Sequence, residues 1–220
     1  MKINQAHIII EKGVKFNIGS PKEGYIKYDF DKIIVYLEAK GKRIYGNKFK
    51  IYKADHPLIF KLCCYFIKDH FNCKKFGIDI NKGILLSGPV GCGKTSLMKL
   101  LRYIVPHIPH YEVIPTKNIV FGFNNIGFKI IEAYNDKLVY CFDDLGTETT
   151  GRHFTNVCNV MSDILLARHK SLINHQILTH ATTNFNSNEL KEHYGSDLHS
   201  KMQELFNYIS FKKGAKNKHR

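Results

Sequence analysis

Acidic residues are scarce in this chain of 220 residues: 19 Asp and Glu stand against 33 Lys and Arg, a formal net charge of +14 with all 12 His counted as neutral. A balance so one-signed points to a polyanionic partner. Long apolar runs are missing too. No stretch approaches the ~18 consecutive apolar residues of a membrane span. The opening MKINQAHIIIEKG has only the run Ile8-Ile9-Ile10 before Glu11 and Lys12, which argues against a secretory signal. The six cysteines, at 63, 64, 73, 92, 141 and 158, form no C-x-x-C pair, so reduced thiols in a cytoplasmic protein are expected. Repeats and low-complexity tracts are absent as well. What is there, 44% apolar and 12% aromatic residues, suffices to offset chain entropy in one packed α/β domain.

Pattern divides the chain in two. Residues 1–54 read as an N-terminal arm or accessory region: a loose stretch over 1–28 with a β-like run at 7–10, a short helix in FDKIIVYLEAK stopped by Gly41, and a Gly46-Asn47 turn. Residues 55–220 are regular. A helix is expected from His56-Pro57 to Phe71, because proline is tolerated in a first turn. Its apolar residues at 58, 59, 62, 63, 66 and 67 keep helical spacing. Cys63, Cys64, His70 and Cys73 match no zinc spacing and read as part of that amphipathic helix and its core face. Five short apolar runs follow, ILLSG, YEVIP, KLVYCF, QILTHATT and NYISF, alternating with helical stretches at 95–105, 126–134 and 154–168. Asn186 and Glu189 have the spacing of a capping box. Strands alternating with helices imply a mostly parallel sheet covered on both faces. FKKGAKNKHR, the last ten residues, forms a basic tail.

Three segments carry chemistry. GPVGCGKT at 88–95 is a full G-x-x-x-x-G-K-[ST] phosphate loop between a strand-like and a helix-like segment. Gly88, Pro89, Val90, Gly91, Cys92 and Gly93 would wrap backbone N–H groups around phosphate oxygens, with Ser96 following in the helix. Lys94 should reach the β- and γ-phosphates of ATP, and Thr95 should place its hydroxyl on Mg²⁺. VYCFDD at 139–144 delivers two carboxylates at a strand end. Asp143 is expected near the Mg²⁺, and Asp144 to direct or deprotonate water. HATTN at 180–184 ends in Asn184, which suits either a γ-phosphate contact or a helix N-cap or Asx turn.

In this order and at these intervals, GPVGCGKT, CFDDLGTE and LTHATTN resemble the AAA+ ATPases, specifically the helicase-loader and transposition-helper family of DnaC, DnaI and IstB type, over about residues 55–220. The resemblance implies a P-loop NTPase αβα sandwich with a mostly parallel five-stranded sheet and a short N-terminal accessory region. It implies ATP and Mg²⁺ at the strand ends, hydrolysis coupled to homo-oligomer assembly, single-stranded DNA along an inner surface, and a replicative helicase or a transposase as partner. Lys94 and Thr95 would be Walker A, Asp143 and Asp144 Walker B, and Asn184 sensor 1. The second Walker B residue is often Glu, so the shorter Asp144 implies slow turnover. Where the family places an arginine finger, in a G-x-x-L-x-S-R segment, this chain reads GSDLHSK, ending in Lys201. Lysine lacks the planar guanidinium fork, and Arg152 and Arg168 are alternative trans cations. Lys218 or Arg220, beyond Gly214, is a candidate sensor 2.

Two competing readings stay open. A small-molecule P-loop kinase needs a lid with several arginines, and the stretch between Walker B and Asn184 holds only Arg152 and Arg168. A nucleotide-gated DNA-binding adaptor that scarcely hydrolyses is compatible with Lys201. The aromatics interleaved with cations in KIYKADH, FKLCCYF and NYISFKK suit single-stranded nucleic acid.

Overall fold

A computed structural model describes residues 6–212, 214, 215 and 218. The chain forms two compact units, one made of Met1–Ile80 and Ser96–His110, the other of Asn81–Thr95 and Tyr111–Arg220.

The first unit begins with two antiparallel hairpins, β1 (Ile8–Glu11) with β2 (Val14–Asn17) and β3 (Gly19–Lys22) with β4 (Tyr25–Tyr28). The loose stretch expected over 1–28 is thus paired over its described part. Each hairpin closes through two residues with positive φ, Lys12-Gly13 at 48° and 83° and Glu23-Gly24 at 29° and 86°. That is the backbone twist a two-residue hairpin loop needs, but it is built on Lys-Gly and Glu-Gly rather than the more telling Asn-Gly or Asp-Gly. α1 (Phe30–Tyr45) starts at the N-cap Asp29, whose side chain accepts from the Lys32 N–H. It runs through Gly41 rather than stopping there. α2 (His56–Phe66) and α3 (His70–Lys75) divide the helix expected up to Phe71, with Asp69 capping the second piece. Cys63, Cys64 and Cys73 are buried, and burial first, then nearby Asp69 and Cys73, pushes the Cys64 thiol up to about 12. Among the described residues, no group of His, Cys, Asp and Glu is arranged to hold a metal ion.

The second unit holds the sheet. β5 (Gly83–Ser87) leads to α4 (Lys94–Leu101), inside which the boundary between the units falls. Then come β6 (Glu112–Pro115), α5 (Thr116–Ile126), α6 (Lys129–Ala133), β7 (Tyr140–Leu145), β8 (Gly151–His153), β9 (Asn156–Cys158), α7 (Val160–His175), β10 (Thr179–Thr183), α8 (Ser187–Tyr194), α9 (Ser196–Leu205) and β11 (Phe206–Ser210). The five-stranded sheet has the order β11-β5-β10-β7-β6, and every neighbouring pair is parallel. The mostly parallel sheet expected is wholly parallel. β5 therefore sits between the last two strands while its own successor lies at the far edge, so a crevice opens at its C-terminal end.

Apolar packing explains the helices. Ile119, Val120 and Phe123 of α5, Ile164 and Leu165 of α7, and Leu198 and Met202 of α9 form one core with Leu85, Phe142 and Ala181 of the sheet. Each fully buried Leu, Ile or Phe contributes roughly 1.5–3 kcal/mol before entropy is charged. That burial turns TKNIVFGFNNI, rich in β-branched residues and asparagine, into a helix where propensity alone predicts none. The helix expected at 126–134 is in fact the end of α5 and the short α6. The helix expected at 154–168 also shifts. Residues 151–158 form the β8–β9 hairpin, and α7 starts at the N-cap Asn159, whose side chain accepts from Ser162 N–H at 3.1 Å. Apolar residues at 154, 157 and 158 keep helical phase with those at 161, 164 and 165 by coincidence. The capping box of α8, Asn186 with Glu189, forms as its spacing predicts. Among the described residues, no helix is long and apolar enough to cross a membrane.

Candidate active site

The phosphate loop joins β5 to α4, as the G-x-x-x-x-G-K-T pattern requires. Gly88 has no room for a side chain: a Cβ there would lie 2.9 Å from the Phe211 Cβ and 3.1 Å from the Cys92 Sγ. Cys92 is fully buried and Val90 projects into solvent. Lys94, 4% exposed, donates to the Gly88 carbonyl at 2.8 Å, the Pro89 carbonyl at 3.0 Å and the Asn184 Oδ1 at 2.7 Å. Burial holds its ammonium below the usual lysine range, against the opposing pull of Cys92, Asp144 and Asp143.

β10 organises the rest. All five of its residues, Thr179-His-Ala-Thr-Thr183, are buried, yet four are polar, and such a strand survives only if each polar group finds a partner. Thr179 Oγ1 accepts from Arg168 Nε at 2.9 Å, and His180 Nδ1 accepts from Ile84 N–H at 3.0 Å. Thr182 Oγ1 donates to Asp143 Oδ1 at 2.6 Å and accepts from Asp144 N–H at 3.0 Å. Thr183 Oγ1 donates to the Leu145 carbonyl at 2.7 Å. A bulge lies near the C-terminal end of the pairing of β10 with β7. Ala181 faces Phe142 and Thr183 faces Leu145, so Asp143 and Asp144 together oppose Thr182. Asp144 accommodates the extra residue with φ at +59°, a region that Asp tolerates better than most side chains. Bulges re-aim side chains beside active sites, and this one keeps the two carboxylates from simply alternating across the sheet.

Asp143 also accepts from the Thr95 hydroxyl, at 2.8 Å on the same Oδ1. A threonine hydroxyl and a carboxylate are hard oxygen donors, the chemistry that Mg²⁺ takes. This donor set, with the close-packed loop before it, fits a nucleotide and its metal. Burial first, then the neighbouring Asp143 carboxylate, holds the Asp144 carboxyl above the usual range, against Lys94 and Lys117. Its carbonyl is fixed by the Thr147 hydroxyl at 2.7 Å and the Thr116 hydroxyl at 3.2 Å.

Of the residues predicted from sequence, Lys94, Thr95, Asp143, Asp144 and Asn184 meet at the C-terminal ends of β5, β7 and β10. The N-cap alternative for Asn184 does not hold, because Asn186 caps α8. Lys201 is half-buried on α9, one turn before Glu204, and Arg152 is exposed on β8. Arg168 corrects an expectation. It is fully buried and donates to the carbonyls of Tyr134, Asp136, Leu138 and Leu178 as well as to Thr179. These groups lie at the N-terminal ends of β7 and β10, opposite the phosphate loop, so Arg168 is not available to a neighbouring subunit's nucleotide. Lys218 donates its N–H to the Gly91 carbonyl at 2.9 Å, and its side chain passes 3.5 Å from where a Cβ on Gly93 would stand. Arg220 lies outside the described residues.

Sequence reasoning missed Thr182, Thr116 and Glu148. Glu148, 8% exposed, accepts from the Gly146 N–H at 2.8 Å and from the Tyr194 hydroxyl, which ties the loop after Walker B to α8. Its place in FDDLGTE was visible, but not its partner 46 residues away. Phe154 also departs from the helix expected of it. It sits at the β8–β9 turn, 92% exposed with φ at +52°.

Residues 84–187 match the sequence model of a family described as RNA helicase. The match runs from β5 through the Walker B strand and Asn184, slightly under half of the chain. No curated protein matches this sequence. Among solved structures, the DnaC helicase loader aligns with a TM-score of 0.55 at 18% identity, covering 78% of this chain and 99% of that one. AMPPCP-bound DnaA from Aquifex aeolicus aligns with a TM-score of 0.51 at 10% identity, covering 74% of this chain and 48% of that one. What is shared is the fold, that of a P-loop NTPase of AAA+ type; in this chain two N-terminal hairpins precede it.

Proposed function

We propose that this protein binds and hydrolyses ATP and uses the nucleotide state to load or remodel a partner on DNA, in the manner of a replicative helicase loader. One observation carries the reading. The phosphate-loop lysine, the strand-end asparagine, the Thr95–Asp143 pair and the bulged Asp144 form one connected site at the end of a parallel sheet. The likeness in fold to DnaC, whose structure is that of a helicase loader, supports the class of task.

In this reading Lys94 and the N–H groups of 88–96 bind the phosphates. Thr95 and Asp143 would hold Mg²⁺, which supplies charge neutralisation on the phosphates. Asp144 accepts a proton from the attacking water as its oxygen bonds to the γ-phosphorus and the bond to the β-phosphate oxygen breaks, releasing ADP and phosphate. Asn184 releases Lys94 to the γ-phosphate and orients that group. Lys201, with exposed Arg152 as the second candidate, serves a neighbouring copy's nucleotide in a homo-oligomer, and Lys218 serves as sensor 2. Phe154, exposed at the β8–β9 turn, is suited to stack on an unpaired base, which supports contact with single-stranded DNA.

An IstB-like transposition helper would share all of this and differ in its partner. A weakly hydrolysing adaptor would bind ATP but release little phosphate. Phosphate release by the full chain, with and without single-stranded DNA, tests the reading. DNA-stimulated release that disappears in Lys94→Ala is expected, and nucleotide binding without release would favour the adaptor.

A further inference from the structure

Charge is segregated along the chain. The first unit holds 18 Lys and Arg against 8 Asp and Glu; the second holds 15 against 11, with five of those 15 in the last nine residues. Without its tail, the unit that carries the phosphate loop is close to neutral. The pull on a polyanion belongs mainly to the first unit.

Structure also sorts the three segments in which aromatics alternate with cations. In FKLCCYF, Tyr65 and Phe66 are buried, and in NYISFKK, Phe211 is buried. Phe60 and Tyr208 of those two segments are half-buried, and KIYKADH has the one exposed ring of the three, Tyr52 at 44%. It closes a run, residues 40–53, that has six Lys and Arg and no acid.

This run is built rather than loose. Phe49 lies flat against Gly41, where a Cβ would stand 2.1 Å from the ring; this close approach is why a glycine occupies the middle of α1. Glu38 accepts from the Ile51 N–H at 3.2 Å and pairs with Lys42 at 2.9 Å. Tyr45 stacks on Phe49 with centroids 5.4 Å apart and planes at 26°. Residues 46–51 are therefore folded back on the last turns of α1. Lys40 and Arg43 are held by Glu11 and Lys50 acts on Glu38 across space, while Lys48, Lys50 and Lys53 are exposed in the same stretch as Tyr45, 41% exposed, and Tyr52.

We propose that this exposed stretch of the first unit, with Tyr45, Lys48, Lys50, Tyr52 and Lys53, is a preorganised site for single-stranded nucleic acid that uses none of the nucleotide-site residues and is independent of ATP. The lysines meet phosphates and the tyrosine rings stack on bases that a duplex would keep hidden. A face already folded loses little entropy on binding.

The test is fluorescence anisotropy of a labelled oligothymidylate of about 20 nucleotides with the full chain, without nucleotide, across a salt series. Lys48, Lys50 and Lys53 all changed to Ser should weaken binding at least tenfold at low salt. The slope of log affinity against log salt should become shallower by about 2, at roughly 0.7 for each phosphate no longer neutralised. Tyr45→Leu with Tyr52→Leu should weaken binding about fivefold or more with the slope unchanged. Binding of a fluorescent ATP analogue should be unaffected in both variants, so failure here is distinct from failure of the ATPase reading. Parent affinity and slope in the lysine variant would overturn the proposal. So would a parent protein that ignores the oligonucleotide but binds polyglutamate, the outcome expected of a docking face for an acidic protein.

Discussion

Lys94 and Asn184 meet directly, Nζ to Oδ1 at 2.7 Å, joining the phosphate loop to the end of β10. With the Gly88 and Pro89 carbonyls as its other acceptors, the ammonium has all three of its donors in use. An incoming phosphate must replace those contacts, and the asparagine lets go of the lysine as it does so.

Changing the charge of that partner should show the competition. Asn184→Asp places a carboxylate against Lys94, and affinity for a fluorescent ATP analogue should fall at least ~10-fold, or ~1.4 kcal/mol. Asn184→Ala removes one hydrogen bond and should leave binding within a few-fold while lowering turnover. Parent-like affinity in Asn184→Asp would mean that Lys94 does not receive the phosphate.

Asp144 should link pH to both rate and stability. Its carboxyl is held above the usual range by burial and then by Asp143, and a general base must be ionised, so the acid limb of kcat/KM should lie above the ordinary carboxylate region. The sign for stability is opposite to that of a salt-bridged acid. Because the folded pKa is raised, the fold binds protons that the unfolded chain gives up, and stability falls as pH rises from the unfolded value through the folded one. Asp144→Asn should therefore melt higher than the parent at pH 7 while losing at least ~100-fold in phosphate release. Thermal melts and rates at matched pH check both.

Thr182 serves both aspartates, donating to the side chain of Asp143 and accepting from the amide of Asp144. Thr182→Val keeps the shape, frees one carboxylate lone pair and removes the acceptor of a half-buried N–H, at a cost of about 1 kcal/mol. Groups that orient a metal ligand typically change metal affinity ~10–100-fold. The Mg²⁺ concentration for half-maximal phosphate release should rise on that scale, whereas Thr183→Val, which loses a bond to the Leu145 carbonyl, should leave it unchanged.

Arg168 should behave as a structural staple. Its guanidinium is buried beneath five acceptors and has Asp136 only at 4.0 Å. Arg168→Ala strands a buried hydroxyl and several carbonyls, at roughly 1–3 kcal/mol for each that water does not reach, and should lower unfolding free energy by at least about 3 kcal/mol, measured by denaturant titration. Lysine in its place should recover only part, because one ammonium cannot reach five acceptors spread over two stretches of chain. An Arg168→Ala protein of parent stability that fails only in mixed oligomers would restore it as a trans cation.

Much of the candidate site was legible because it is local. Phosphate loop, Walker B pair and strand-end asparagine are short strings, and alternating apolar runs located all five strands. What escaped depends on distant partners. Gly41 looked like a helix stop, and only Phe49 folding onto it explains why α1 continues. Phe154 kept helical phase with α7, although the hairpin turn puts it in solvent. Arg168 looked like a cation awaiting a neighbour's phosphate, while four of its five acceptors are backbone carbonyls, which no side-chain pattern reveals. The bulge at Asp143–Asp144 is likewise invisible without the register of β10.

The most direct measurement is Mg²⁺-dependent phosphate release from ATP by the full chain, made in parallel on the parent, Lys94→Ala and Asp144→Asn, with ATP-analogue binding read on the same samples. The expected result is release by the parent alone, binding retained by Asp144→Asn and binding lost by Lys94→Ala. Release by Asp144→Asn at the parent rate, or undiminished ATP binding by Lys94→Ala, would contradict the assignment of this site.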